Sequence, residues 1–331
     1  MNNLPFYYYF IFIIIFFLCS KLSYKLNLVD YPNERKVHKI PTAYTGGIAI
    51  SICLLVALQE IDTFDRSLAS IISISFLVSL IGVIDDKFSL NVGGKLSLQI
   101  IPIMCLIIFE NLTLISLGDY NYFSLELKHF GMPFTLLCVL FLKNSFNYFD
   151  GLNGTLSSLL IFVLLILYFL VPNEIVHIYL TILIITLILF LCFNFSLLKL
   201  PRLFLGDSGS LMLGFITSFL LIYLANQEYV HPILLAWSIV IFVYEFLSIN
   251  VTRLKNGQKL FKAGKDHLHH ILLEKTKSLF LTNFYIILLN ISIFLIGYLS
   301  FMLLNELTSM ILYIILFVIY LFSRLFFQKK N

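Results

Sequence analysis

Long apolar runs limit what this chain can fold into more than any other feature of its sequence. Several runs exceed the roughly 18 apolar residues that mark a membrane-spanning helix. Of the 331 residues, 60% are hydrophobic and only 12% are charged, whereas about a quarter of the residues in soluble domains are charged. The sequence therefore predicts an all-α polytopic membrane protein, with residues 1–331 forming one integral-membrane domain.

The distribution of positive charge tests how many times the chain crosses the membrane. Placing the N-terminus outside and the C-terminus inside puts all of the 22 Lys and Arg residues inside except Arg66 and Lys128. A wrong span count would distribute the Lys and Arg residues over both sides of the membrane, so the pattern supports eleven spans. The first run lacks a basic leader and a small-residue cleavage site, and we interpret it as a retained span. The predicted spans are residues 5–19, 43–60, 67–84, 97–116, 130–143, 155–172, 175–194, 209–225, 231–250, 282–303 and 307–325.

Other classes of function have little support in the sequence. The five cysteines lie inside apolar runs without CxxC spacing, so we expect neither disulfides nor metal ligands from them. No stripe of basic and aromatic residues indicates nucleic-acid binding. The longest outside loop, residues 117–130, alternates in a way that predicts a small hairpin around residues 120–127.

The most polar segment between two apolar runs is NSFNYFDGLNG, residues 144–154. On a helix its polar positions, three residues apart, would form one stripe. The preceding apolar run is short for a span, which places the segment slightly inside the membrane plane. The alternative is a capping loop, but a carboxylate at a membrane boundary is by default a functional hypothesis. The four polar residues of the stripe are Asn144, Asn147, Asp150 and Asn153.

Two further inside segments supply carboxylates. In IDDKFSLNVGGK, the adjacent Asp85 and Asp86 are expected to face a cation or share a proton, unless they are simple surface aspartates. Lys95 begins the next span and is within reach of the same region. In PRLFLGDSGS, small residues and hydroxyls surround Asp207, which suits Mg²⁺ with waters and phosphate oxygens in its shell. A helix N-cap is the alternative there.

Two basic inside segments are interpreted as anion contacts, with ordinary positive-inside charge as the alternative for the first of them. The first contains Lys36 and His38. The second is the loop RLKNGQKLFKAGKDHLHH, in which the HxHH spacing without cysteine is not typical of zinc. Glu245 lies near the inside end of the ninth span and is a further candidate for the polar site. The candidate residues of the second loop are Arg253, His267, His269 and His270.

All five polar motifs are predicted to lie on the same, cytoplasmic side of the membrane. Their acids have no Cys or Ser nucleophile paired with a base, which favours Mg²⁺-assisted phosphoryl transfer. A site at the membrane face implies one soluble and one lipid substrate. A transporter is the disfavoured alternative, because transporter acids lie near the bilayer midplane. A non-catalytic lipid-binding scaffold is a further alternative.

These motifs, in this order, resemble the polyprenyl-phosphate N-acetylhexosamine-1-phosphate transferases of glycosyltransferase family 4. The matching segments are RKVHKIP, IDD, NSFNYFDGLNG, FLGDSGS and DHLHH, and they span most of the chain. The resemblance implies that polyprenyl phosphate attacks the β-phosphorus of a UDP-sugar, releasing UMP and starting a cell-surface glycan such as lipopolysaccharide O-antigen or a cell-wall polymer. HLHH resembles the branch that uses UDP-N-acetylglucosamine; another UDP-N-acetylamino sugar is the alternative.

The resemblance also implies partners, a location and residue roles. The partners are undecaprenyl phosphate, a UDP-N-acetylhexosamine, membrane lipid and a second copy in a homodimer, in the bacterial inner (cytoplasmic) membrane. Asp207 and Asn147 would bind Mg²⁺, with Mn²⁺ as a substitute. The catalytic candidates are Asp85, Asp86 and Asp150, and the identity of any general base is open. Asn153 would face the uracil, and the remaining substrate-binding candidates are Lys36, His38, Lys95, Asn144, Arg253, His267, His269 and His270.

Overall fold

The computed structural model describes residues 5–32, 40–60, 64–258 and 267–328. This part of the chain forms thirteen α-helices and two small antiparallel sheets. The strands are β1 (Val29–Asp30) with β2 (Thr42–Ala43), and β3 (Ser116–Asp119) with β4 (Ser124–Glu126). The helices are α1 (Tyr7–Lys25), α2 (Gly46–Leu58), α3 (Arg66–Phe88), α4 (Val92–Phe109), α5 (Gly131–Phe149), α6 (Thr155–Leu170), α7 (Glu174–Asn194), α8 (Gly206–Asn226), α9 (Pro232–Ser238), α10 (Val240–Lys255), α11 (Leu268–Thr276), α12 (Leu279–Leu303) and α13 (Glu306–Gln328).

The helices confirm the all-α polytopic class. Seven helices of the described residues are long and apolar enough to cross a membrane, namely α1, α3, α4, α7, α8, α12 and α13. If the bent pair α9–α10 is counted as one span, the described residues contain up to eight candidate spans. Helices α2 and α6 are apolar but shorter. A helix stands at every predicted span, while the count of eleven and the orientation remain predictions.

The chain divides into two compact units. The first unit comprises Met1–Leu112 and Leu136–Leu220, and the second comprises Thr113–Thr135 and Leu221–Asn331. The single membrane domain expected from the sequence stays a prediction. The hairpin expected in the loop after α4 is confirmed as β3–β4, and all five cysteines are free thiols.

The ninth predicted span is not one continuous helix. It bends by 74° between α9 and α10. At the break, the amide of Ile241 donates to Asn290 Oδ1 at 3.3 Å, and Asn290 Nδ2 donates to the Ser238 carbonyl at 3.2 Å. A side chain of α12 therefore satisfies the backbone groups that the break releases, as a helix kink inside a membrane requires.

The predicted polar stripe is helical in its first half only. Helix α5 continues past the expected end at residue 143 to Phe149, and within it Asn144 Nδ2 donates to the Leu140 carbonyl at 2.7 Å. Asp150 and Asn153 lie in the turn that follows. The turn ends at Gly154, whose φ of +73° lies in the left-handed region that favours glycine.

Candidate active site

The start of α8 is held by close backbone packing in the first unit. The Gly46 amide donates to the Phe204 carbonyl at 2.9 Å, and the Gly47 amide donates to the Leu205 carbonyl at 3.0 Å. A Cβ on Gly47 would lie 2.0 Å from the Gly209 nitrogen. The adjacent glycines Gly46 and Gly47 therefore let α2 touch α8 and fix where α8 begins.

Asp86 caps this helix from α3. Its two carboxylate oxygens accept from the amides of Asp207 and Ser208 at 3.2 and 3.4 Å. A carboxylate at a helix N-terminus satisfies free amides and is stabilised by the helix dipole. The structure thus assigns to Asp86 the capping that the sequence left open for Asp207.

Four side chains converge on Asp207. The Lys95 ammonium contacts the Asp207 carboxylate and lies 2.5 Å from an Asp85 oxygen. Asn147 Nδ2 donates to Asp207 Oδ1 at 2.7 Å and to the Ser210 hydroxyl at 3.0 Å. Helix α3 contributes two polar side chains at the first turn of α8, and α4 and α5 contribute one each. We call Asp85, Asp86, Lys95, Asn147 and Asp207 the acidic cluster.

Asp150 belongs to the same electrostatic neighbourhood. It is half-buried in the turn after α5. Burial, and after it the negative charges of Asp207 and Asp86, raises the pKa of the Asp150 carboxyl well above its ordinary value. Asp150 is therefore a carboxyl group that tends to hold a proton.

The other sequence-predicted residues of the first unit are placed differently. Asn144 bonds to its own helix and makes no described contact with Asp207. Asn153 is half-buried in the turn before α6. Lys36 and His38 lie outside the described residues.

The predicted sugar-diphosphate residues lie in the second unit. Arg253 is buried near the end of α10. The three histidines cluster at the start of α11, with ring centroids 5.5 Å apart for His267 and His269 and 4.3 Å apart for His269 and His270. Burial, and after it the neighbouring imidazoles and Arg324, lowers the pKa of His269 well below its ordinary value.

Two polar residues near the acidic cluster are not among the predicted site residues. Ser210 shares the amide of Asn147 with Asp207. Lys143 is fully buried one turn before Asn147, and its Nζ lies 5.7 Å from the centre of the Phe215 ring. Among the described residues its ammonium has no hydrogen-bond partner. The only sequence feature that points to Lys143 is its position four residues before Asn147. The positive-inside pattern alone marks it as an ordinary inside charge.

The donor chemistry of the acidic cluster fits Mg²⁺. The described residues contain no group of three or more His, Cys, Asp or Glu side chains placed to hold a metal. Mg²⁺ does not need such a cage, because it takes one or two carboxylates and completes its shell with waters and phosphate oxygens. Asp207 and Asn147 offer oxygen donors without sulfur or imidazole, as this ion prefers.

The fold and this cluster define a multi-pass helical membrane protein with an acidic, oxygen-donor site. Residues 68–225 match the family model described as glycosyl transferase family 4. That segment carries Asp85, Asp86, Asn147, Asp150 and Asp207 of the site. This match confirms the family resemblance read from the motifs, and over these residues the chain is similar to glycosyl transferase family 4.

Individual relatives extend the likeness beyond that segment. The undecaprenyl-phosphate alpha-N-acetylglucosaminyl 1-phosphate transferase of Yersinia pestis is 29% identical over 278 residues, which is 80% of this chain and 75% of the relative. The protein of the same name from Escherichia coli strain K12 is 27% identical over 266 residues, covering 78% and 72%. A probable undecaprenyl-phosphate N-acetylglucosaminyl 1-phosphate transferase of Bacillus subtilis is 26% identical over 269 residues, covering 77% and 72%.

Proposed function

We propose that this protein transfers N-acetylglucosamine-1-phosphate from UDP-N-acetylglucosamine to undecaprenyl phosphate and releases UMP. The observation that carries the proposal is the convergence of Asp85, Lys95 and Asn147 on Asp207. The names and coverage of the relatives support the substrates. The reaction would take place at the cytoplasmic face of the bacterial inner membrane and start a cell-surface glycan.

The chemistry requires one new P–O bond and one broken one. An oxygen of the lipid phosphate attacks the β-phosphorus, and the bond to the oxygen bridging the α- and β-phosphorus breaks, so that UMP leaves with the electron pair. A phosphate monoester is already ionised near neutral pH and needs little help from a base. When bound, Mg²⁺ would neutralise phosphate charge and polarise the reacting phosphoryl group.

The residues of the chain would bind and orient the two anionic substrates. Asp207 and Asn147 would hold the Mg²⁺. The Lys95 ammonium would contribute positive charge toward the phosphates, and Asp85 would orient that ammonium. Asn153 would contact the uracil, and the histidines and Arg253 would contact the sugar diphosphate, as the family resemblance implies.

The alternative is the same chemistry with another UDP-N-acetylamino sugar. Purified protein in detergent, with undecaprenyl phosphate and Mg²⁺, is given UDP-N-acetylglucosamine, UDP-N-acetylgalactosamine and UDP-glucose in turn. We expect the highest kcat/KM for UMP release with UDP-N-acetylglucosamine. A higher kcat/KM with another UDP-sugar would change the assigned substrate but leave the assigned reaction unchanged. No UMP release with any of the three would overturn the proposal.

A further inference from the structure

Glu245 is a buried carboxylate that joins three helices of the second unit. It is 1% exposed on α10. Its Oε1 accepts from the Leu268 amide at 2.6 Å and from Arg324 Nη2 at 3.0 Å, and its Oε2 accepts from the Tyr320 hydroxyl at 2.6 Å. Leu268 begins α11, while Tyr320 and Arg324 lie on α13.

The first turn of α11 depends on this carboxylate. Its N-cap residue, His267, provides no side-chain cap. Glu245 takes that place, because it satisfies the first helical amide and sets a negative charge at the positive end of the helix. The same turn carries His269 and His270, so a shift of the Leu268 backbone shifts the imidazoles with it.

Stability alone is a weak reason to bury this ion pair. The side chains of Arg324 and Glu245 are only 6% and 1% exposed. Removing both charges from water costs energy that their attraction offsets only in part, and the better-attested benefit of such pairs is a fixed arrangement. Here the ion pair fixes the position of the Leu268 backbone amide, which lies beside the histidines in the chain.

We propose that Glu245 is a positioning residue that fixes the histidine cluster, and that Tyr320 and Arg324 of α13 hold it in place. The inference rests on the proposed function only in assigning the histidines to the sugar diphosphate. The structural half of the proposal is the placement of His269 by Glu245, and it does not depend on the identity of the substrate.

Histidine modification tests the structural half on the full-length protein without substrate. The rate at which diethyl pyrocarbonate modifies His269, which is 1% exposed, is followed by peptide mass spectrometry. In Glu245→Ala we expect that rate to rise about tenfold or more, and in Glu245→Gln, which keeps an acceptor oxygen, to rise less. The matched control is Glu110→Ala, since Glu110 also accepts from an arginine and a hydroxyl, Arg66 and Ser70, but in the first unit.

Steady-state kinetics test the link to the substrate. In Glu245→Ala we expect KM for UDP-N-acetylglucosamine to rise about tenfold with a smaller fall in kcat, and in Glu245→Gln a partial recovery. The Glu110→Ala control should keep both constants. An unchanged KM beside a faster modification of His269 would overturn the assignment of the cluster to the nucleotide sugar.

The remaining outcomes separate the inference from the proposed function. Wild-type protection of His269 in folded Glu245→Ala overturns the positioning role. If that variant does not fold, Tyr320→Phe decides, because it removes one donor and no charge; unchanged protection there also overturns the role. If the wild-type protein shows no turnover at all, the proposed function fails and the modification rates still decide the positioning role.

Discussion

At the scale of single residues, Asn153 offers the most direct test of nucleotide recognition. It is half-buried in the turn between α5 and α6, and the family resemblance assigns it to the uracil. Because the uracil does not change during the reaction, its contacts should be as strong in the ground state as in the transition state. In Asn153→Ala we expect KM for the UDP-sugar to rise about tenfold while kcat stays within about threefold. A fall in kcat at unchanged KM would contradict this role.

His269 predicts how stability depends on pH. Its pKa in the folded protein lies well below the ordinary value of 6.5, first because of burial. As the pH falls below 6.5, the unfolded chain takes up a proton that folded His269 resists, so stability is lost as the pH falls toward the folded-state pKa. The loss should approach about 1.4 kcal/mol per pH unit.

The measurement is the free energy of unfolding in detergent between pH 8 and pH 5. Replacing His269 by Gln should flatten the decline below pH 6.5. The control is His129→Gln, since His129 is exposed. An unchanged slope in His269→Gln would show that His269 does not carry this dependence.

The sequence predicted the members of the acidic cluster better than their contacts. Adjacent aspartates were expected to face a cation or share a proton, and Asp85 does face the Lys95 ammonium. Asp86, about 100° further round the helix, caps α8 instead. Which neighbour each acid meets depends on how α3 packs against α4 and α8, and no local pattern encodes that.

At the scale of helices, the contact between α2 and α8 should tolerate no added side chain. In Gly47→Ala the new Cβ would meet the Gly209 backbone, 2.0 Å from its nitrogen. Overpacking against backbone costs about 1–3 kcal/mol or more. We expect a lower unfolding midpoint in detergent and reduced activity, because α8 carries Asp207.

The matched control for this prediction is Gly93→Ala. A Cβ on Gly93 would find only Asn91 Oδ1, at 3.6 Å. Its effect should stay within about 0.5 kcal/mol. Equal midpoints for the two variants would contradict the packing argument.

Helix positions could be predicted from apolar runs, but two boundaries could not. The break near Ile239 has no proline or glycine beside it, and its released groups are satisfied by Asn290, about fifty residues further along the chain. Helix α5 continues beyond its apolar run to Phe149, with Asn144 bonded to the Leu140 carbonyl of its own helix. Hydrophobic patterning contains none of these side-chain hydrogen bonds.

At the scale of the whole molecule, the charge pattern predicts the topology. With eleven spans and the N-terminus outside, Glu228 lies outside and Lys199 lies inside. In a variant with all five cysteines replaced, a single cysteine at position 228 should react with a membrane-impermeant maleimide added to intact spheroplasts. A single cysteine at position 199 should react only after the membrane is permeabilised. The reverse labelling would overturn the orientation.

The proposed transfer of N-acetylglucosamine-1-phosphate is tested most directly by measuring the lipid-linked product formed by wild type and by Asp207→Asn. Both proteins, in detergent, receive undecaprenyl phosphate, UDP-N-acetylglucosamine and Mg²⁺, and mass spectrometry follows undecaprenyl-diphosphate-N-acetylglucosamine together with UMP. Asp207→Asn removes the carboxylate that contacts Lys95 and that we propose as a metal ligand, which should lower kcat about a thousandfold, or about 4 kcal/mol. The control Asp119→Asn, in the β3–β4 hairpin, should match wild type. Absence of product from wild type, or a rate in Asp207→Asn above about a tenth of wild type, would contradict the account.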